Sequence, residues 1–184
     1  NLQTVSALLR LQSRRSDEDS VKVALAEAER RVQAIATVHA ALSQNVDESV
    51  DFDEVARTIV RMAGAIASTD HAVEVITTGT FGTISADQAQ ALATVLNELV
   101  ANSVEHGLAD RDGRIEVCAQ RDNLSMKVTV ADDGVGFVPG TPMSGLGTQI
   151  VHQMVRGELR GSIEWAPREG GGTLVTLLIN LDPA

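Results

Sequence analysis

Apolar residues in the first quarter of the chain follow a helical rhythm. Val21, Leu25, Ala28, Val32, Ile35, His39 and Leu42 recur at alternating spacings of four and three, a sustained seam of the kind that joins helices in a coiled coil or bundle. Leu2, Val5 and Leu9 give a shorter first helix a matching stripe, with Leu8 and Leu11 alongside. Ser16, Asp17, Glu18, Asp19 and Ser20 separate the two and can cap the second. Two short amphipathic helices cannot bury both faces alone, so this hairpin is expected to pair with a second copy. Residues 44–52 are polar and read as a linker, with Ser49 or Asp51 capping a helix that carries Val55, Ile59, Met62, Ala63 and Ile66. Residues 1–45 are therefore expected to form a helical dimerisation hairpin, and 46–184 a second domain.

Within 46–184 the rhythm switches between periods of two and 3.6. Residues 72–78 read as a strand, followed by a turn over Gly79, Thr80, Phe81 and Gly82. Ser85, Ala86, Asp87 and Gln88 form a capping box for a long helix buried through Leu92, Val95, Leu96, Leu99, Val100 and Val104. A hairpin follows, 114–120 and 124–131 around Arg121, Asp122 and Asn123, in which Ile115, Val117 and Ala119 alternate with Glu116, Cys118 and Gln120. A helix over 148–156 and strands over 161–165 and 173–181 complete the set. Helices on one face of a mixed, largely antiparallel sheet make an α+β sandwich.

Three polar signatures interrupt these apolar segments. Glu98, Asn102 and His106 are spaced i, i+4, i+8 and stack as one stripe on the long helix. Asp132, Asp133, Gly134, Val135 and Gly136 directly follow the apolar run 126–131. Gly145, Leu146, Gly147 and Thr148 open the next helical segment. A carboxylate at a strand end, a carboxylate–amide–imidazole stripe and a glycine turn at a helix N-terminus together suggest a nucleotide site.

Composition narrows the partners. Apolar residues make up 43% of the chain, enough for a core, although aromatic residues reach only 2%. The net charge of −10 argues against nucleic acid or an anionic membrane surface. The single cysteine, Cys118, excludes an internal disulfide, fits a reducing compartment and reads as a sheet residue. No apolar run reaches transmembrane length and no signal peptide is visible, so a cytoplasmic protein without membrane contact through this stretch is expected. A first residue of Asn1 rather than Met suggests a piece of a longer protein.

The three signatures, with Gly170, Gly171, Gly172 and Thr173 before the last strand, resemble the N, G1, G2 and G3 boxes of the GHKL (Bergerat) ATP-binding fold. Gyrase, the heat-shock chaperone, histidine kinases and MutL share that fold, and the resemblance covers about residues 51 to 184. Residues 1–12, beginning Asn1, Leu2, Gln3, resemble the tail of the phosphoacceptor (HisKA) helix in the histidine-kinase subclass that opens His-Arg-Val-Lys-Asn-Asn-Leu-Gln. The resemblance implies a sensor histidine kinase, ATP and Mg²⁺ as cofactors, a response-regulator partner and a homodimer. It places the acceptor histidine just upstream of Asn1. Of the histidines present, His39 falls in the bundle seam, His71 in a surface loop, His152 in the 147–156 helix and His106 in the N box; none suits the acceptor.

The same resemblance assigns roles. Asn102 would ligate Mg²⁺, which prefers oxygen donors, while Asn97 supports the helix. Glu98 is the N-box carboxylate, which activates water in the hydrolases of this fold and in kinases would orient the acceptor imidazole. His106 would donate to phosphate or cap the helix end. Asp132 would read the adenine amine, Gly134 and Gly136 let backbone approach the base, Asp133 faces solvent, and Thr173 helps fix the pocket. Residues 137–144 would be the lid, after which Gly145, Leu146, Gly147 and Thr148 offer N–H groups to the triphosphate. A serine kinase of the anti-sigma-factor type and a non-catalytic ATP-gated scaffold are the alternatives. The hairpin and the Asn-Leu-Gln segment oppose the first, and Asn102 with Asp132 the second.

Overall fold

The computed structural model describes residues 2–15, positions 18, 21–22, 24–26, 28–29, 32–33 and 36, and residues 49–67, 71–109, 111–137 and 146–181. Helix α1 spans Leu2–Arg15. It turns Ser6 inward and leaves Val5, Leu8 and Leu11 at 42%, 55% and 52% exposure. The described residues between 21 and 36 are helical as well, and Ser13 Oγ donates to Lys22 O at 3.5 Å. Of the expected seam, Val21 is exposed and Leu25, Ala28 and Val32 are half-buried; Ile35, His39 and Leu42 lie outside the described residues.

The end of the expected linker is a strand. Residues Ser49–Asp51 form β1, which pairs antiparallel with a second strand the sequence reading missed, β3, Thr83–Ser85. Each is three residues long with one buried apolar residue, Val50 or Ile84, too short for an alternation to show. Asp51 then caps α2, Phe52–Ala67, its Oδ1 accepting the Asp53 N–H at 3.1 Å.

The remaining order is β2 (Val73–Gly79), β3, α3 (Ala86–Asn102), a π-helical turn (Ser103–Gly107), β4 (Gly113–Arg121), β5 (Ser125–Asp132), α4 (Leu146–Arg156), β6 (Ser162–Pro167) and β7 (Thr173–Asn180). Five strands form one sheet in the order β2-β4-β5-β7-β6, with β2 and β4 parallel and the other neighbours antiparallel. This is the expected mixed, largely antiparallel sheet. Alternation along it sends Ile115, Val117, Met126, Val128, Val130, Val175 and Leu177 into the core. Cys118 and Lys127 take the opposite face, and Cys118 is half-buried there.

Helix α3 explains why the core is continuous. It is flanked by α2 and α4, and every residue from Ala91 to Ala101 is buried. Such a helix needs apolar or small residues all round, which its run of Ala, Leu and Val supplies. Ser85 Oγ accepts the Gln88 N–H at 3.4 Å at its start. The Gln88 side chain, 1% exposed, reaches across to donate to Asn180 O at 2.7 Å, tying α3 to the end of β7.

Candidate active site at the ends of β5 and β7

The sheet brings two separated segments together at Asp132. This carboxylate closes β5 and is 2% exposed. Its Oδ1 accepts the Gly134 N–H at 3.0 Å and the Thr173 N–H at 3.1 Å. Both hydrogen bonds fall on one oxygen. Among the described residues Oδ2 has no donor, so one acceptor of this buried carboxylate is left over.

Glycines shape the space around that carboxylate. A Cβ on Gly107 would lie 3.0 Å from Oδ1 and 3.3 Å from Oδ2 of Asp132. A Cβ on Gly134 would overlap the Gly107 carbonyl oxygen, to which the Val135 N–H donates at 3.0 Å. Gly172, at φ +95°, stands where a Cβ would collide with the Asp132 carbonyl oxygen, and only glycine adopts that backbone without strain. The 170–172 turn thus packs against Asp132 from one side and the π-helical turn Ser103–Gly107 from another. Gly136 joins them, since its missing Cβ would meet the Gly172 carbonyl at 2.9 Å. The sequence reading set Gly172 in the glycine run before the last strand without giving it a role of its own, and it missed Gly107, whose only signal was its place directly after His106.

Asp133 is half-buried rather than solvent-facing. Its Oδ1 accepts the Arg114 N–H at 2.8 Å and its N–H donates to Arg114 O at 3.2 Å, which locks the turn to β4. On α3, Glu98 is 7% exposed and Asn102 half-buried. Asn97 is 5% exposed with its Nδ2 unbonded among the described residues, a buried donor in the turn that carries Glu98. The helix then widens, the Leu108 N–H reaching Ser103 O at 2.9 Å. Ser103–Gly107 is therefore a π-helical turn, and His106 on it is exposed. Single-turn π-bulges recur at functional sites.

Leu146, Gly147 and Thr148 form the first turn of α4, whose N–H groups have no acceptor within the helix. Gly145 and the expected lid from 138 onward lie outside the described residues, and Phe137 at its start is half-buried. His152 packs against Trp165, the rings tilted by 53° with centroids 5.0 Å apart, so it belongs to the contact between α4 and β6. His71 is exposed and lies 3.8 Å from Asp112. Among the described residues no three His, Cys, Asp or Glu side chains are placed to hold a metal, and no helix is long and apolar enough to cross a membrane.

The family model described as histidine kinase matches residues 1–66, and that of the histidine kinase-, DNA gyrase B- and HSP90-like ATPases matches 87–183. The chain is 41% identical over 97% of its length to the sensor histidine kinases PdtaS of Mycobacterium tuberculosis and of Mycolicibacterium smegmatis. It spans 37% of the length of each. In fold it is similar to the histidine kinase domain of the Erythrobacter litoralis EL346 blue-light activated kinase, with a TM-score of 0.74 at 20% identity, covering 97% of this chain and 96% of that one. The mycobacterial sensor histidine kinase MprB gives 0.56 at 23% identity over 76% of this chain and all of its own.

Proposed function

Because the chain belongs to the histidine kinase family, with the phosphoacceptor-type and ATPase-type segments in tandem, we propose that it is the catalytic core of a cytoplasmic two-component sensor kinase. It binds Mg-ATP, transfers the γ-phosphoryl group to a histidine of the acceptor helix, and serves a response-regulator aspartate. Residues 1–45 make the dimerisation hairpin and 46–184 the ATP-binding domain. The carrying observation is the Asp132 carboxylate, held at one oxygen by two backbone donors with the other open among glycines.

That geometry fits adenine. Oδ2 accepts the exocyclic amine, Gly134 and Gly136 admit the base against bare backbone, and Thr173 holds the carboxylate in place. The triphosphate lies toward Gly145, Leu146, Gly147 and Thr148, and His106 donates to it from the exposed helix end. Asn102, half-buried at the end of α3, offers a neutral amide oxygen that would hold Mg²⁺, which prefers oxygen donors. When bound, the metal would supply neutralisation of the phosphate charge. Phosphoryl transfer asks little covalent chemistry of the protein, so positioning and electrostatics carry the rate. Glu98, nearly buried, orients the acceptor imidazole so that its lone pair faces the γ-phosphorus.

The test separates acceptor from catalyst. The chain is mixed with Mg-ATP and a separate hairpin that begins His-Arg-Val-Lys-Asn-Asn-Leu-Gln. The product should be labile in acid and stable in base, as a phosphoramidate is. Glu98→Gln should slow transfer more than it weakens ATP binding. An acid-stable product would point to a hydroxyl acceptor, and absence of product with ATP bound would leave a scaffold.

A further inference from the structure

Strands β1 and β3 stand apart from the five-stranded sheet and pair over three residues only. A two-stranded pair of that length does not hold in water by itself. Val50 and Ile84 anchor it in the core, and one carboxylate ties it to α2. Asp53, in the first turn of α2, accepts the Phe81 N–H at 2.7 Å through Oδ1 and the Gly82 N–H at 3.2 Å through Oδ2. The Phe52 N–H returns a bond to Gly82 O at 3.0 Å. The Phe52 and Phe81 rings, both 0% exposed, meet edge to face at 5.5 Å. Arg121 Nη1 donates to Phe81 O at 2.6 Å and ties the same turn to the end of β4. The start of α2 is thereby gripped to the turn between β2 and β3.

The position of this grip in the chain gives it a consequence. Strand β1 is the first element after residues 37–48, so the helical segment enters the catalytic half here. Strand β3 runs directly into Ser85, the cap of the helix carrying Glu98 and Asn102. We propose that Asp53 is a latch on this joint, fixing where the helical segment leaves the catalytic half. It is then a positioning residue for transfer to a tethered acceptor, which rests on the kinase reading above. A tethered acceptor reaches the site at an effective concentration set by its attachment; an untethered one does not depend on it.

Asp53→Asn keeps the shape but turns a donor toward one of the two N–H groups, and Asp53→Ser keeps a single short acceptor should the first variant fold poorly. Hydrogen exchange on the full chain should show the amides of residues 49–51, Phe81 and Gly82 exchanging at least tenfold faster, with α3 unchanged. In a chain extended to carry the acceptor histidine, transfer to that histidine should fall at least fivefold. Mg-ATP affinity and transfer to a separate hairpin should stay within twofold. Unchanged exchange at Phe81 and Gly82 would overturn the latch. Tethered transfer that is unaffected, or that falls together with ATP affinity and untethered transfer, would overturn the positioning role. If the parent transfers to neither acceptor, the kinase reading fails and the exchange result alone decides the latch.

Discussion

Substituting Asp132→Asn asks whether this residue reads the base, and the hydrogen bonds fix what the variant must look like. The Gly134 and Thr173 N–H groups both point at Oδ1, 3.0 and 3.1 Å away. An asparagine has to place its carbonyl oxygen there, because an NH₂ would face two donors. Its NH₂ therefore occupies the Oδ2 position, the one facing the base. Against adenine this sets donor against donor. A lost hydrogen bond of about 1 kcal/mol and an unpaired buried donor of about 2 kcal/mol sum to roughly 3 kcal/mol. That is a loss on the order of a hundredfold in ATP affinity. Hypoxanthine carries a carbonyl oxygen where adenine carries the amine, so the same NH₂ gains a partner with inosine triphosphate. Isothermal titration with each nucleotide and Mg²⁺ should show the parent preferring ATP and the variant preferring ITP. Thermal unfolding serves as the control for folding, since both Oδ1 bonds survive the change. A folded variant with the parental ATP to ITP ratio would refute the assignment of Asp132 to the base.

Gly107→Ala should weaken ATP binding about tenfold, because overpacking costs on the order of 1–3 kcal/mol and the new Cβ would sit 3.0–3.3 Å from a carboxyl group that two backbone donors hold in place. Titration against ATP measures it, and parental affinity would show that the carboxylate yields freely. Asn102→Ala should remove most of the Mg²⁺-dependent part of ATP affinity while leaving metal-free binding near the parental value; comparing titrations with Mg²⁺ and with EDTA checks this. Leu8→Glu with Leu11→Glu should weaken self-association at least tenfold, since these side chains are 55% and 52% exposed on α1. Light scattering across a concentration series reads the shift, and an unchanged assembly would move the interface elsewhere.

Periodicity made most of the frame legible. The long apolar helix, the β4–β5 hairpin and the capping serine at Ser85 each announce themselves within about ten residues, where a rhythm or a side-chain cap has room to repeat. Strands β1 and β3 do not, for three residues cannot establish a period. Their contacts are long-range: the Asp53 carboxylate grips the turn before β3 at residues 28 and 29 positions away. The pocket shows the same division. Asp132 and its following glycines form a local motif, but the Thr173 N–H that orients the carboxylate comes from 41 positions on. Only the strand pairing of β5 with β7 makes them neighbours, with Ala131 opposite Leu174. The Asp133 clasp on Arg114 depends likewise on the register of β4 with β5.

The helix end shows how one residue of backbone geometry redistributes the site. A stripe at i, i+4, i+8 assumes an α-helix through His106. The i+5 hydrogen bond from Leu108 to Ser103 instead spreads the last turn, and over the four residues from Asn102 this swings His106 by roughly 70° from the α-helical direction. Glu98 and Asn102, still on the regular part of α3, keep their shared face. His106 sits at the solvent edge, off the line that Glu98 and Asn102 keep. Gly107 takes the inner position, close enough that its carbonyl receives the Val135 N–H and its bare Cα abuts Asp132. A side chain at that inner position would press on the Asp132 carboxyl group, its Cβ 3.0 Å from Oδ1 and 3.3 Å from Oδ2. The widened turn therefore joins the helix that carries Glu98 and Asn102 to the Asp132 end of β5 through a glycine.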